Sequence, residues 1–465
     1  MQLGDILDDV SLDVSTSSLE VTRVEIDSRQ CEPGTLFFAM PGTRQHGAKF
    51  AKDATERGAV CVVSDRPVES SVPVVVVPTT QLPALLAHAS AAVVGHPETR
   101  AKLVAVTGTN GKTSVTTLVG SLAHALSWNA ASIGTLTNPR TTPAAPELYR
   151  SLAALIVRFD AATPDSLVAI EVSSHALDQR RVAGLRFCVA AFTNLSHDHL
   201  DYHDTMEQYF LAKASLFTPE HAKRAVIWTD DAYGERLAEM TALPVTRVSR
   251  RDAVDVESSL RGSTFFWRGH LVNSPLVGDY NVDNALLAMA IMSTLGVSDE
   301  RVAASMGEVA SIPGRFDVLY GEGVTVIVDY AHTPEGLLRL LSDVRKLQPG
   351  GRIITVFGAG GDRDRTKRPE MGRVVSTNSD LTIVTSDNPR SEGPDDIIDA
   401  VLVGAAPGAQ VVREPDRRQA IVRALASAQS GDVVVIAGKG HESTQTVGDL
   451  VLPFDDRVVA EELLK

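Results

Sequence analysis

Val104-Ala-Val-Thr-Gly-Thr-Asn-Gly-Lys-Thr-Ser114 constrains this chain more than any other stretch, because an apolar run passes straight into a glycine-rich turn and a helix start. Leu103 to Val106 reads as a buried strand, Gly108 and Gly111 supply a tight turn, and Lys112 and Thr113 open a helix toward Leu126. Such a turn aims successive backbone N–H groups and the positive end of a helix at one spot, where a phosphate can sit. Lys112 would reach terminal phosphates and the Thr113 hydroxyl a Mg²⁺. The general phosphate-loop pattern has a further glycine two positions before Gly108, where Val106 stands, so the pattern is met in part. A chance strand–glycine–helix turn is the rival reading; it is disfavoured because glycine, lysine and threonine stand in the order the chemistry needs.

The strand-then-helix alternation that begins here needs room, and 465 residues provide it: about two to four domains, each with its own core. Lys plus Arg number 44 against 58 Asp plus Glu, a formal charge of −14, which argues against non-specific nucleic-acid binding while leaving room for a local basic pocket. Cys31, Cys61 and Cys188 have no metal-ligand spacing and fall in or beside apolar runs, as reduced buried thiols of a cytoplasmic protein do. The chain shows no targeting pattern at its start and no stretch long enough to span a membrane.

Residues 1–97 read as a small mixed domain, with strands at 21–27, 34–40, 59–63 and 72–77 and helices at 48–57 and 84–94. Residues 98–312 alternate strands and helices, with strands at 103–106, 132–136, 167–172, 187–192 and 225–228 and helices at 279–292 and 297–309. Pro313-Gly314 marks a boundary. Residues 313–465 add strands at 324–329, 352–357, 381–385 and 433–437. The expected class is α/β with three domains: the small mixed one, a central ATPase-like one with a mainly parallel sheet, and a C-terminal Rossmann-like one. Ligands are expected at the carboxyl ends of the strands.

Glu171 ends a buried strand, where a carboxylate is costly unless paired or metal-bound. His197, Asp198, His199, Asp201 and His203 crowd one loop beyond the next strand, and with Thr113 and Glu171 they offer oxygen and nitrogen ligands for Mg²⁺. Lys213 interrupts an apolar helix, for which snorkelling is the plain account. In the last domain four strand-end loops stand out: Asp329-Tyr-Ala-His332, Gly358 to Arg365, Asp387-Asn-Pro-Arg390 and Gly438-Lys-Gly-His-Glu442. Arg363 and Arg390 suit carboxylates, Asp387 and Glu442 an ammonium, so an amino acid is a candidate ligand; ordinary loop salt bridges are the rival.

Thr107 to Thr113, Glu171-Val-Ser-Ser-His175, Asn194 to His203, Asp329 to Pro334 and Gly438 to Glu442 together resemble the Mur ligases, over essentially the whole chain, and most nearly the members that add meso-diaminopimelate. The resemblance accounts for Val106, since that family's phosphate loop has this shorter form. It implies an N-terminal domain for the UDP end of a precursor, a central ATPase and a C-terminal amino-acid domain. ATP would meet Gly108, Thr109, Asn110, Gly111, Lys112, Thr113 and Ser114, with Asn284, Arg315, Asp329 and His332 near adenosine or its ribose. Ser28, Thr141, Thr142, Ser173, Gln179 and Arg181 would serve the UDP-muramoyl-dipeptide. Thr113 and Glu171 would hold one Mg²⁺; Glu171, His199 and Lys213 a second, with Lys213 carbamylated by carbon dioxide to N6-carboxylysine. Arg363, Asp387, Asn388, Pro389, Arg390, Gly438 and Glu442 would take diaminopimelate, Arg390 pairing the carboxylate that lysine lacks and Glu442 with Gly438 engaging the distal pole.

The implied reaction is amide ligation through an acyl phosphate in peptidoglycan precursor synthesis, by a monomer in the bacterial cytoplasm, with Lys112, Glu171, His199 and Lys213 as its catalytic set. Gln45, Lys49 and Arg140 depart from the family's pattern on the precursor side, within and beyond the segment Gly42 to Phe50. The alternatives are a lysine-adding Mur ligase, a folylpolyglutamate-synthetase-like ligase, and a nucleotide-binding regulator without activity.

Overall fold

The computed structural model describes residues 1–42, 45–321 and 323–465; Thr43 and Arg44 of the precursor-side segment, and the side chain of Asp201 in the histidine-rich loop, lie outside the described residues. Four short strands, β1 (Arg23–Glu25), β2 (Thr35–Ala39), β3 (Ala59–Ser64) and β4 (Val74–Val76), form a parallel sheet in that order. The wholly buried β2 supplies its core, and the helix Leu82–Val93 covers one side.

The central sheet contains β5 (Lys102–Thr107), β6 (Asn129–Ile133), β7 (Ser166–Glu171), β8 (Val189–Phe192), β9 (Ala225–Trp228) and β10 (Val245–Val248), in the order β10-β9-β8-β5-β7-β6, all parallel. Near-continuous apolar runs such as 103–106 and 167–170 belong here because helices bury both faces of such a sheet. β6 lies earlier than the 132–136 expected. At Gly134 a side chain would meet the Glu171 carboxylate at 2.3 Å, and the next N–H, of Thr135, donates to that carboxylate at 3.0 Å. The chain leaves the sheet where it must turn over Glu171.

An antiparallel meander absent from the sequence reading follows: β11 (Ala253–Ser259), β12 (Gly262–Trp267) and β13 (His270–Ser274). Phe265 and Trp267 are buried while Phe266 is exposed, the alternation of a sheet with one wet face. The helix Asp279–Thr294 then packs on the helix Lys112–Ala125, which follows the glycine-rich turn. The helix expected over 297–309 is shorter, Asp299–Ser305 followed by a 3-10 turn.

The last sheet has β14 (Asp317–Tyr320), β15 (Thr325–Asp329), β16 (Ile353–Phe357), β17 (Leu381–Val384), β18 (Val411–Arg413) and β19 (Val433–Ala437), in the order β14-β15-β19-β16-β17-β18. Only its β14–β15 edge is antiparallel. A hairpin, β20 (Thr444–Val447) and β21 (Leu450–Pro453), hangs from it. The carboxyl ends of β5, β7 and β8 face those of β15, β16, β17 and β19 across one cleft.

Candidate active site

The loop after β5 closes tightly. Gly111 has φ +81°, and a Cβ there would stand 2.6 Å from Asn284 Oδ1; one on Gly108 would stand 1.8 Å from Thr193 Oγ1. Neither position tolerates a side chain. The loop is braced from β8: the N–H groups of Thr109 and Asn110 donate to the Asn194 carbonyl (2.8 Å) and side chain (3.0 Å), and the Thr193 hydroxyl donates to the Asn110 carbonyl at 2.6 Å.

Lys112 Nζ donates to the carbonyls of Gly108 (3.0 Å) and Thr109 (2.8 Å), and Lys213 Nζ donates to the same Gly108 carbonyl at 2.7 Å. Neither lysine has an ion-pair partner among the described residues. Burial pulls both amines below their ordinary range, Lys213 well below it, with Lys112 the next cause. Lys112 and a helix N-terminus thus converge on one loop, with Glu171 and Asp198 acting on the amines only from a distance and no ion pair formed, the electrostatics that suit an anion. Lys213 is 1 % exposed on the helix Met206–Ala214 and sits over the Tyr209 ring at 4.6 Å. It points into the site, and the snorkelling account is excluded.

Glu171, at the end of β7, accepts from the Thr113 hydroxyl (3.1 Å), the Thr135 N–H (3.0 Å) and the Thr135 hydroxyl (3.0 Å). Burial still pushes its carboxyl up, against Lys112 and these donors. Arg315 Nη2 donates to Thr113 Oγ1 at 3.1 Å. His199 has a left-handed backbone, φ 55°, with its ring 3.6 Å from Asp198; burial lowers it to about 3, so the ring is neutral. Burial acts to raise Asp198, and His199, Lys367 and His332 outweigh it, so that carboxylate is charged.

Among the described residues no three His, Cys, Asp or Glu side chains group closely enough to hold a metal. The adjoining oxygens of Thr113 and Glu171 do suit Mg²⁺, which takes one or two protein oxygens and completes its shell with phosphates and water. A second ion has no such pair, because Lys213 as an amine is a donor turned to Gly108.

The expected nucleotide residues reach the same cleft, a cavity of about 330 Å³. Asn284 lines it and donates to Asn281 at 3.0 Å. Asp329 lines it too, but its carboxylate already accepts from the Tyr280 hydroxyl (2.8 Å) and the N–H groups of Phe316 (2.7 Å) and Ala331 (2.7 Å), which makes it a junction between the central and last sheets. His332 Nδ1 donates to the Tyr330 carbonyl (2.8 Å), and the ring is lowered by burial to about 4. Further pairs join the walls: Lys367 with Asp198 (3.6 Å) and His197 with Asp364 (3.5 Å).

The precursor-side residues divide. Thr141 and Ser173 line the cleft. Thr142 lies beneath it, donating to the Glu171 carbonyl at 2.8 Å and receiving the Ser173 N–H at 3.0 Å. Arg181 donates to the Thr142 carbonyl (2.8 Å) and to Gln179 Oε1 (2.6 Å), so these two shape the Thr142 turn and are not in the cleft wall. Ser28 is buried in a 3-10 turn of the first sheet's layer, apart from the cleft, and Gln45, Lys49 and Arg140 are exposed outside it.

The last wall carries the remaining set. Arg363, Asp387, Asn388, Arg390, Gly438 and Glu442 all line the cleft, whereas Pro389 stands behind it, its carbonyl against Gly361. Arg390, at φ 52°, donates to the Gly361 carbonyl at 2.6 Å. Neither Arg363 nor Arg390 has an ion-pair partner among the described residues. Burial pushes the Asp387 carboxyl up, with Arg417 and then Lys439 opposing it. Glu442 is already engaged: its Oε2 accepts from Asn388 (2.7 Å) and from Lys439 (3.0 Å). Asp387 is therefore the more available anion for a ligand ammonium.

Sequence reasoning assigned no role to Lys439, Lys367, Thr135, Tyr280 or Asp283, all at the site or directly supporting it. Lys439 and Lys367 stand inside or beside motifs that were noticed, and Thr135 was hidden in a stretch read as strand. Asp283 adjoins Asn284; its Oδ1 is buried without a hydrogen-bond partner among the described residues, and burial pushes its carboxyl up to about 7.

The glycine-rich loop that carries Arg363 is pinned by Glu392, which accepts from the Asp362 N–H (2.7 Å) and from buried Arg368 (2.8 Å) and pairs with Arg365 (3.0 Å). Arg368 above all holds its carboxyl down at about 2. The folded value is depressed, so the stabilisation is complete above the usual Glu range near 4.5 and is lost as pH falls from there through about 2. The difference in melting temperature between wild type and Glu392→Gln is expected to shrink over that window; a gap independent of pH would contradict it.

The fold and site together define an α/β protein of parallel sheets whose cleft has a lysine-bearing glycine-rich turn on one wall and guanidiniums beside carboxylates on the other. Family models match in order along the chain: "Mur ligase family, catalytic domain" over residues 20–108, "Mur ligase middle domain" over 106–292 and "Mur ligase, glutamate ligase domain" over 314–440. The chain is 43% identical to the UDP-N-acetylmuramoyl-L-alanyl-D-glutamate–2,6-diaminopimelate ligase of Gloeobacter violaceus, covering 100% of this chain and 98% of that one. A solved structure of a ligase of the same name superimposes with a TM-score of 0.68 at 31% identity, covering 100% and 98%. A Thermotoga maritima MurF ligase in complex with ADP shares the fold, with a TM-score of 0.63 at 16% identity over 96% and 97%. The chain belongs to the Mur ligase family.

Proposed function

We propose that this chain joins meso-diaminopimelate to the D-glutamyl γ-carboxyl of UDP-N-acetylmuramoyl-L-alanyl-D-glutamate at the expense of ATP. The observation that carries the reading is the cleft itself: a glycine-rich turn with buried Lys112, beside Lys213, faces a wall with two guanidiniums that form no ion pair among the described residues. The names of the relatives support the same substrates. The units assigned to precursor, nucleotide and amino acid are 1–97, 98–312 and 313–465, acting as a monomer in the bacterial cytoplasm.

The γ-carboxylate of the precursor attacks the terminal phosphorus of ATP, the bond to the bridging oxygen breaks, and ADP leaves an acyl phosphate. The free amine of the diamino acid then attacks the acyl carbon, the amine proton is lost, and phosphate departs. Bringing two anions together is the obstacle, and Lys112, the loop N–H groups and the helix N-terminus offset it where charge develops. Mg²⁺, held by Thr113 and Glu171 and on a second position by Glu171, His199 and carbamylated Lys213, would supply further neutralisation of phosphate charge. Lys213 fits that modification: its amine, pulled down by burial, attacks carbon dioxide and loses one proton to give a carbamate. The pairs Lys367 with Asp198 and His197 with Asp364 hold the two walls together beside the acyl phosphate.

Asp387 takes an ammonium of the diamino acid and Arg363 and Arg390 its carboxylates, which separates it from lysine by the cost of leaving a guanidinium unpaired. The test is ADP release from ATP and the muramoyl-dipeptide with meso-diaminopimelate, the LL isomer or lysine. Release with meso-diaminopimelate at least about tenfold faster than with lysine is expected from one lost charged contact; turnover with lysine alone would favour the lysine-adding reading.

A further inference from the structure

We propose that Arg417 is a positioning residue for the amino-acid pocket: its guanidinium ties the loop after β17 to the loop after β19, holding Asp387, Asn388 and Arg390 in register with Gly438 and Glu442. The inference rests on the reading of that pocket as the diamino-acid site.

Arg417 is 1 % exposed and opens the helix Arg417–Ser427. A buried cation is doubly disfavoured there, by desolvation and by the positive end of the helix. What it touches explains its presence. Its Nε and Nη2 donate to the two carboxylate oxygens of fully buried Asp456 at 2.7 Å each. Asp456 begins its own helix, Asp456–Leu463, where an anion is favoured. The remaining capacity of the fork goes to two backbone carbonyls: Nη1 donates to Ser386 at 3.2 Å and Nη2 to Ala437 at 3.0 Å.

Those carbonyls immediately precede the residues that form the pocket. Ser386 leads into Asp387, and Ala437 into Gly438. The two loops are in contact at this point, because a Cβ on Gly438 would stand 2.7 Å from Asp387 Oδ2. A small slip of either loop therefore moves the Asp387 carboxylate against its neighbours. Lys439, fully buried, fastens the same loops one layer outward through Asn388 (3.4 Å), Glu442 (3.0 Å) and the Thr444 carbonyl (2.6 Å). Arg417 is also the first of the charges that oppose the upward push of burial on Asp387, so it favours the ionised form an ammonium requires. Lysine cannot replace it: a compact ammonium on a flexible stem does not reach a carboxylate in fork geometry and two separate carbonyls at once.

The experiment compares wild type, Arg417→Lys and the double variant Arg417→Met with Asp456→Leu, which removes both buried charges and so preserves folding. For each, melting temperature and the KM for meso-diaminopimelate, ATP and the muramoyl-dipeptide are measured. Arg417→Lys and the double variant are expected to raise the diaminopimelate KM at least about tenfold, with the KM for ATP and the dipeptide within about twofold. A role confined to stability predicts instead that the double variant, once folded, has the wild-type KM for all three, and that result overturns the proposal; so does an equal rise in all three. If Arg417→Lys fails to fold, the double variant decides. Wild type that turns over no diamino acid overturns the functional reading and this inference together, whereas wild-type turnover matched by the variants overturns this inference alone.

Discussion

Lys213→Ala is expected to form product about 10²–10³-fold more slowly than wild type, the loss seen when one preorganised group is removed from a site of developing charge. The amine is nearly inaccessible, hydrogen-bonded to the carbonyl of Gly108, and forced toward its neutral form by burial and by the neighbouring Lys112. A neutral amine beside the glycine-rich turn has little electrostatic use as it stands; converted to a carbamate it would offer anionic oxygens beside Glu171 and His199, where among the described residues no three His, Cys, Asp or Glu side chains group to hold a metal. Two controls separate this role from packing. Depleting carbon dioxide should slow wild type, and bicarbonate should restore it, while Lys213→Ala responds to neither. ADP affinity should change only a few-fold, because Lys112 and the loop N–H groups are untouched. Full activity of Lys213→Ala would end the case for a metal-organising lysine.

For Arg390→Ala, kcat/KM for meso-diaminopimelate is expected to fall about 10²–10³-fold, or about 3–4 kcal/mol, as for truncating one partner of a desolvated, hydrogen-bonded charge pair. The effect on lysine should be much smaller, since lysine offers no second carboxylate to lose. The variant therefore narrows the preference between the two amino acids as well as slowing the enzyme. The geometry supports a large effect. Arg390 is held at a left-handed backbone position by the Gly361 carbonyl and by an isolated bridge to Val447 of β20, and among the described residues no carboxylate forms an ion pair with it, Asp362 acting on it only from a distance. Substrate-panel kinetics check this, and an equal loss for both amino acids would mean that Arg390 shapes the loop and does not read the ligand.

The strand–turn–helix around Gly108 and Gly111 was legible because its signal is local: the strand, turn glycines, lysine and threonine are consecutive, and β5 and the helix Lys112–Ala125 formed as expected. The strand-end motifs of the last sheet were legible for the same reason, each sitting just beyond a short apolar run. The meander β11–β13 was missed because β11 is mostly exposed and its apolar residues are scattered among polar ones, the buried apolar side chains of the three strands being Phe265, Trp267 and Val272. The early end of β6 was missed because its cause, Glu171, lies far along the chain.

Residue identity and order by themselves determined that a glycine-rich turn with a lysine would follow β5, that acids and guanidiniums would gather at later strand ends, and that one lysine would stand in an apolar helix. Tertiary structure alone decided which of those charges are spent within the protein. Asp329 is consumed by three donors and Glu442 by Lys439 and Asn388, while Arg363, Arg390 and Lys213 form no ion pair among the described residues. Arg417 meets Asp456 across 39 positions. The physical reason is that desolvation and pairing depend on what the fold brings within a few ångströms, and no local pattern in the chain encodes that distance.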